Sequence, residues 1–306
     1  MTSFSYHRSH WGVFLAREAR DGKVEVRPFA DDPNPSPIIR NFEDAVHHKV
    51  RVARPSIRRG WLENGPGPDS RRGDDDFVEV EWDFAIDLVA RELARVRDQF
   101  GSSAIYGGSY GWSSAGRFHH AQSQVHRFLN ATGGYVRSVN SYSSGAASVI
   151  IPHIVGPFES ISRRSVKWSD VVQYSELIVC FGGMAVKNGQ VSPGGPGRHR
   201  TRASMVDARQ RGARYVLISP LRDDLPVELE ASWLPIKPGT DTALMLGIAH
   251  TLVKSGRVDR NFLARCCEGY GRFERYLLGG YDGEPEKSAQ WAESITGVSS
   301  NAIEKL

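Results

Sequence analysis

Cysteine is scarce. The chain has three, Cys180, Cys266 and Cys267, and no CxxC pair. An odd count with two adjacent thiols does not build a disulfide scaffold, a zinc ribbon or a cysteine-held iron–sulfur cluster. It reads instead as a protein of a reducing compartment. Long apolar runs are missing too. Nothing approaches the roughly 18 uninterrupted apolar residues of a membrane span. The opening MTSFSYHRSHWGVFLARE carries no twin arginine and no apolar leader core, so the expected location is cytoplasmic, with no membrane partner. Charge of one sign is not in excess: 39 Lys and Arg face 35 Asp and Glu, a net of +4. Without a concentrated basic patch, that balance argues against a nucleic-acid partner. Also absent are a GxGxxG after a strand, a GxxxxGK[ST] loop, a GxSxG elbow and an HExxH pair. Neither a standard dinucleotide fingerprint, nor a P-loop, nor the commonest hydrolase motifs are supported.

What is present is ordinary globular composition, 40% hydrophobic and 24% charged over 306 residues. At roughly 150 residues per domain, about two domains are expected. Residues 1–55 are short and broken in pattern, with DDPNPSP in the middle, and read as a β-rich segment. FVEVEW (77–82) alternates like a strand. Ile86, Val89, Leu93, Val96 and Phe100 then recur at helical spacing, with Asp83 as expected N-cap and Gly101 as stop. A short strand, 104–106, runs into the glycine-rich loop GGSYGWSSAG (107–116). A helix through Phe118, Ala121, Val125 and Phe128 follows, ending at Gly133–Gly134. In the second half, ELIVCFGG (176–183) and ARYVLISP (213–220) are continuous apolar runs, as expected for buried parallel strands. WLPIKPGTD (233–241) reads as a strand and turn feeding the helix TALMLGIAHTLVKSG, and the remainder reads as largely helical. The alternation predicts an α/β fold with mostly parallel sheets and flanking helices, Rossmann-like in kind. The expected domains are 1–55, 56–155 and 156–306.

In such sheets ligands gather beyond the carboxyl ends of the strands. The loops 107–116, 182–187 and 219–223 take that position here, with the turn 237–241 nearby. Glycines admit close backbone approach and helix N-termini favour anions, so a nucleotide-containing ligand is expected. Taken singly, the residues in these loops have plain readings: Ser143 and Ser144 as a helix N-cap, Trp112 as packing, Lys187 as solvated, Asp241 as a helix-start acid. His119, His120 and His126 share one expected helix, but the i, i+4 pairing of a metal site is missing, so they read as solvated or packing residues.

Taken together, SHWGVF (9–14), GGSYGWSSAGRFH (107–119), YSSGAASVIIPHIVG (142–156) and KPGTDTALMLGIAHTLV (237–253) resemble the dimethyl sulfoxide reductase family of molybdopterin enzymes. The likeness is greatest to the biotin (or methionine) sulfoxide and trimethylamine-N-oxide reductases, and NFLARCCEGYGRFERYLLGGYDG (261–283) favours the cytoplasmic biotin sulfoxide branch. The resemblance implies molybdenum held by bis(molybdopterin guanine dinucleotide) and one protein ligand, the hydroxyl oxygen of Ser143, which directly follows the tyrosine. A hard oxygen beside four soft sulfurs suits a high-valent metal. Tyr110 and Trp112 match the aromatic pair over the metal, whose O–H and N–H can donate to an oxygen carrying negative charge. The loop Tyr110, Gly111, Trp112, Ser113, Ser114 follows one pterin. Lys187 and Asn188 match a second contact, Ile218 and Ser219 a third, and Pro238, Gly239, Thr240 and Asp241 a guanine or phosphate turn. On this reading 56–155 carries the metal-ligand loop and 156–306 binds one dinucleotide. The implied reaction takes the oxygen from an S-oxide or N-oxide, giving thioether or amine and water, with electrons from an external donor. Members of the family are much longer than 306 residues. The resemblance therefore covers their N-terminal portion, and a second chain supplying the remainder is one expectation. A truncated, non-catalytic remnant is the alternative.

Overall fold

A computed structural model describes residues 3–71, 73–108, 120–162 and 164–306. Its contacts divide the chain into two compact units, Met1–Ser165 with Gln190–His199, and Val166–Gly189 with Arg200–Leu306.

The first unit opens with an antiparallel meander, β1 (Ser5–Ser9), β2 (Gly12–Glu18) and β3 (Val24–Pro28). Phe14 on β2 is buried and stacks on Phe42, with ring centroids 5.0 Å apart, in the helix α1 (Asn41–Ala45). The segment 190–199 is pinned to this meander by buried polar bonds. His199 Nδ1 meets Asp32 Oδ2 at 2.5 Å, the His199 N–H donates to Asp32 Oδ1 at 3.1 Å, and Arg8 donates to the Gly195 carbonyl at 2.6 Å. Next come β4 (Ser56–Arg58), α2 (Arg59–Asn64) and β5 (Phe77–Glu79), with β4 and β5 antiparallel. The strand expected over 77–82 is thus shorter, because the chain turns into α3 (Trp82–Phe100). Glu81 occupies the N-cap without a side-chain bond, so Asp83 is a first-turn acid and not the cap. The periodic stripe on α3 is only partly covered: Leu93 and Val96 are half-buried, but Ile86, Val89 and Phe100 are more than half exposed. The strand expected at 104–106 is a 3-10 turn, Ser102–Ala104, followed by a single parallel bridge between Tyr106 and Val136. Then come α4 (Ala121–Ala131), α5 (Gly145–Ile150) and α6 (Phe158–Ser162).

The second unit is built on three parallel strands. It runs α7 (Trp168–Tyr174), β6 (Leu177–Phe181), α8 (Thr201–Gln210), β7 (Arg214–Ile218), β8 (Ser232–Leu234), α9 (Asp241–Lys254), α10 (Arg260–Cys266), α11 (Tyr270–Leu277), α12 (Ala289–Thr296) and α13 (Ser300–Lys305). The strand order is β6-β7-β8, both pairs parallel. Side chains alternate across a strand, and β7 is covered on both faces. Tyr215 and Leu217 join Cys180, Met205 and Leu229 on one side, and Val216 and Ile218 join Ile236, Leu244 and Ile303 on the other. That is why its sequence is a continuous apolar run. Tyr215 donates to the Met205 carbonyl at 3.1 Å, and burial pushes its phenol up to about 12. Of the three sheets among the described residues only this one is parallel, because the meander and the β4–β5 pair are antiparallel. The α/β class holds, with small sheets rather than mostly parallel ones.

Candidate functional site

In the first unit, two chain segments are laid side by side by main-chain bonds. The Val136 N–H donates to the Ile105 carbonyl at 2.8 Å and the Gly107 N–H to the Val136 carbonyl at 2.9 Å. Gly107 is required there, since a Cβ would lie 2.0 Å from Leu129 Cδ1 and 2.9 Å from a Tyr135 ring carbon. The segments run parallel and leave the bridge at the same end. Beyond it opens a cleft of about 780 Å³, lined by Tyr106, Gly108, residues 138–142, Gly145 and Ala146. His126 of α4 and Tyr135, beside the bridge residue Val136, share a short ring-nitrogen-to-hydroxyl bond.

Ser143 lies in sequence between the lining residues Tyr142 and Gly145 and is not itself among the residues that line the cleft. It is exposed, in the turn that leads into α5, and its N–H donates to the Ser141 hydroxyl at 3.2 Å. Ser144, not Ser143, takes the N-cap position of α5, and no side-chain bond caps the helix there. The plain N-cap reading thus holds in position for Ser144, without a side-chain bond, and does not describe Ser143. Tyr142 projects fully into solvent. Tyr110, Gly111, Trp112, Ser113 and Ser114 fall in 109–119, together with Phe118 and His119, and lie outside the described residues. Gly108, the last described residue before them, lines the cleft.

The other expected contacts gather in the second unit at the carboxyl edge of the parallel sheet. Phe181, Ile218 and Leu234 are in register across β6, β7 and β8, so the loops that follow them emerge together. Gly182 and Gly183 have φ of 74° and 79°, and a Cβ on Gly183 would sit 2.3 Å from Asp224 Cβ. Only glycine suits that close approach. Ile218 is wholly in the core, and Ser219 is 1% exposed. The Ser219 hydroxyl donates to Asp224 Oδ2 at 2.5 Å and accepts the Leu221 N–H at 3.1 Å, and its carbonyl accepts the Trp233 indole N–H at 2.8 Å. Both side chains are thereby committed to holding the loop. Lys187 and Asn188 are exposed on a 3-10 turn, Val186–Gln190. Pro238 and Gly239 are exposed, Gly239 with φ 78° and open space where a Cβ would be. Thr240 donates its hydroxyl to the Lys237 carbonyl at 2.7 Å and occupies the N-cap of α9 without a side-chain cap bond, which places Asp241 in the first turn. The first N–H groups of α9 therefore open beside an exposed glycine turn, the arrangement that favours an anionic group.

Two features escaped the sequence reading. Asp224 locks the β6 and β7 loops together, its carbonyl accepting the Met184 N–H at 2.7 Å. Asn140, with φ 68°, shapes the turn before Ser143. An asparagine beside serines is a turn signal, and NSYSSG carries one.

The donor set suits a metal that arrives with most of its own ligands. Among the described residues no group of three or more His, Cys, Asp and Glu stands together to hold an ion. Ser143, exposed between the cleft-lining residues Tyr142 and Gly145, carries a hard hydroxyl oxygen, the donor type that suits a molybdenum centre whose other donors belong to a cofactor.

These features define a protein class, and comparison with known proteins names it. The chain belongs to the molybdopterin oxidoreductase family: residues 51–300 match Molybdopterin oxidoreductase and residues 7–47 match Molybdopterin oxidoreductase N-terminal domain. Among relatives, it is 44% identical over 282 residues to biotin sulfoxide reductase of Cereibacter sphaeroides, covering 92% of this chain and 38% of that protein. It is 39% identical over 298 residues to the dimethyl sulfoxide/trimethylamine N-oxide reductase of the same organism, covering 97% and 36%. With trimethylamine-N-oxide reductase of Haemophilus influenzae it shares 37% over 311 residues, again covering 97% and 36%. The fold is also that of acetylene hydratase from Pelobacter acetylenicus, with TM-score 0.56, 21% identity, and coverage of 96% of this chain and 36% of that one. The chain thus spans little more than a third of the length of these relatives. Among the described residues no helix is long and apolar enough to cross a membrane.

Proposed function

We propose that this chain forms the metal-ligand portion of a molybdenum-dependent reductase of S-oxides or N-oxides, with Ser143 as the protein ligand. The observation that carries the reading is the exposed Ser143, set in YSSG between the cleft-lining residues Tyr142 and Gly145 and one position before the N-cap of α5. When bound, bis(molybdopterin guanine dinucleotide) with its metal supplies two-electron oxygen-atom transfer. The net change is R₂S=O + 2 e⁻ + 2 H⁺ → R₂S + H₂O, or the corresponding reduction of an amine oxide. The names of the relatives, which act on biotin sulfoxide, dimethyl sulfoxide and trimethylamine N-oxide, support that substrate class.

The chain's own residues have distinct tasks. Ser143 offers the oxygen that fixes the metal relative to the cleft. Tyr110 and Trp112 carry an O–H and an N–H suited to donate to the substrate oxygen, where negative charge concentrates. Gly111, Ser113 and Ser114 follow the cofactor in the same loop. In the second unit the open turn Pro238–Gly239–Thr240, Asp241 and the start of α9 receive a nucleotide end. The Lys187 ammonium meets an anionic group, with Asn188 beside it, and Ile218 and Ser219 act through the backbone edge that they hold. The cradle is completed by polypeptide outside these 306 residues, in the same or a second chain. The relatives' greater length and the exposed stripe on α3 support that reading. Electrons come from an external donor. Two exposed thiols, Cys266 and Cys267, suit a reducing cytoplasm. No observation favours the inert-remnant reading over this one.

The test is molybdenum and guanine content of the purified protein, together with reduction of biotin sulfoxide, methionine sulfoxide and trimethylamine N-oxide by a dithionite-reduced dye. Stoichiometric metal, and turnover abolished by Ser143→Ala without loss of the fold, are expected. Protein that takes up no molybdenum, or a Ser143→Ala variant with normal turnover, contradicts the reading.

A further inference from the structure

We infer that Asn140 is the positioning residue of Ser143. The inference deepens the reading of Ser143 as metal ligand and rests on it. Asn140 is one of two described non-glycine residues with positive φ, at 68°, in the left-handed region that asparagine tolerates and most side chains avoid. That backbone turn folds its side chain forward over the serine loop. Its Oδ1 accepts the Ser141 N–H at 2.7 Å and lies 3.2 Å from the Ser148 hydroxyl, whose single proton has the Gly145 carbonyl at 2.8 Å as its nearer acceptor. The Ser141 N–H is a fixed donor, so the oxygen and not the amide nitrogen must face it. Ser141 in turn accepts the Ser143 N–H on its own hydroxyl at 3.2 Å. Ser148 lies within α5, its N–H bonded to the Ser144 carbonyl at 2.8 Å.

That amide oxygen therefore ties down the entry of the segment that carries Ser143, at Ser141, and stands beside its helical exit at Ser148. The intervening Ser143 is exposed, and these bonds fix the backbone from which its side chain springs. The choice of amide over carboxylate also has a physical reason. An aspartate would make the same bond to the Ser141 N–H, but it would add a negative charge to a site that on the proposed reading receives an anionic cofactor.

The experiment compares Asn140→Gly, Asn140→Asp, Ser141→Ala and Ser143→Ala in the holoenzyme, purified with whatever polypeptide accompanies it. Asn140→Gly keeps the left-handed backbone and loses the acceptor. Asn140→Asp keeps both, and Ser141→Ala loses only the acceptor for the Ser143 N–H. Molybdenum content, the electron paramagnetic resonance of the half-reduced metal, and amide hydrogen exchange over 141–143 in the cofactor-free chain are read together with kcat and KM. Expected for Asn140→Gly are retained metal, a broadened signal shifted toward that of Ser143→Ala, faster exchange at 141 and 143, and kcat lowered roughly three- to tenfold at unchanged KM, the size of one lost hydrogen bond. Asn140→Asp restores the exchange protection and the line width. If Asn140→Gly does not fold, Ser141→Ala carries the test with the same expected signal. A wild-type signal in Asn140→Gly or Ser141→Ala, alongside an altered one in Ser143→Ala, overturns the positioning role and leaves the ligand intact. A wild-type signal in Ser143→Ala overturns the ligand reading, and this inference with it.

Discussion

A hydroxyl that is to bind a metal must be held rigidly yet kept out of the core, and these demands conflict, since packing is the usual source of rigidity. At the residue scale this protein answers with short polar bonds and glycines. Ser143 is anchored through Ser141 and Asn140 while it stays exposed. Gly107 lets the bridge behind the cleft close against Leu129, and Gly183 lets the β6 loop close against Asp224. Replacing either glycine by alanine forces a methyl group into occupied space. Gly107→Ala and Gly183→Ala should each cost about 1–3 kcal/mol of stability, as overpacking does, the second more because its φ of 79° disfavours any side chain. Urea unfolding midpoints check this, and unchanged midpoints would refute the contacts. Ser143 was visible in the sequence because YSSG is a local motif. Asn140 was legible only as part of a turn, because its positive φ and its side-chain bond to the Ser141 N–H are set by the folded loop. Ser219 and Ile218 were visible as the end of a strand, but only the structure shows that their side chains are spent on the loop and the core.

At the element scale the best-read pieces were those with one dominant pattern. β7 is buried on both faces and its apolar run announced it. Helix α9 was read to within two residues of its ends, Asp241 and Lys254, because a glycine turn starts it and Gly256 follows it. The failures share a cause. FVEVEW alternates beyond the end of its strand, and helix α3 claims Trp82 because a helix start needs no alternation break. Leu217, 1% exposed at the centre of the β7 packing, gives a direct energetic test: Leu217→Ala should cost about 2–5 kcal/mol, measured by thermal or denaturant unfolding, and a loss well below that range would contradict its place in the core. A second test concerns how the loop before α12 is held to α9. Glu286 accepts from His250 Nε2 at 2.8 Å and pairs with Lys254 at 3.1 Å. The His250 bond, then Lys254, holds its carboxyl below the ordinary glutamate value. A lowered folded value means that the contribution is fully present above the unfolded value of about 4.3 and fades as the pH falls through the folded one. The group is nearly half exposed, so the effect is small. Glu286→Gln should flatten the acid end of the stability-versus-pH curve and leave the neutral region close to wild type. An unchanged acid limb would show that the pair contributes nothing.

At the scale of the whole molecule, each unit carries one part of the expected machinery. The first presents the cleft and Ser143, and the second presents the parallel-sheet edge with its open turn before α9. The α/β class was legible because the strand–helix alternation in the second unit is strong. The antiparallel meander was legible only as a β-rich stretch, because short strands broken by DDPNPSP carry little periodicity. The return of 190–199 to the meander was not legible at all. It depends on the His199–Asp32 pair, whose partners lie 167 residues apart. The apolar stripe on α3 shows the same limit from the other side: its spacing announces a face made for burial, and the sequence alone does not say what buries it.

The central claim is that the oxygen of Ser143 completes the coordination of a cofactor-borne molybdenum. X-ray absorption at the molybdenum edge, on the oxidised holoenzyme and on Ser143→Ala with equal metal content, tests it most directly. The account predicts one singly bonded oxygen scatterer in the wild type that the variant lacks or replaces at a different distance, with the sulfur shell retained. Superimposable spectra for the two proteins would contradict it.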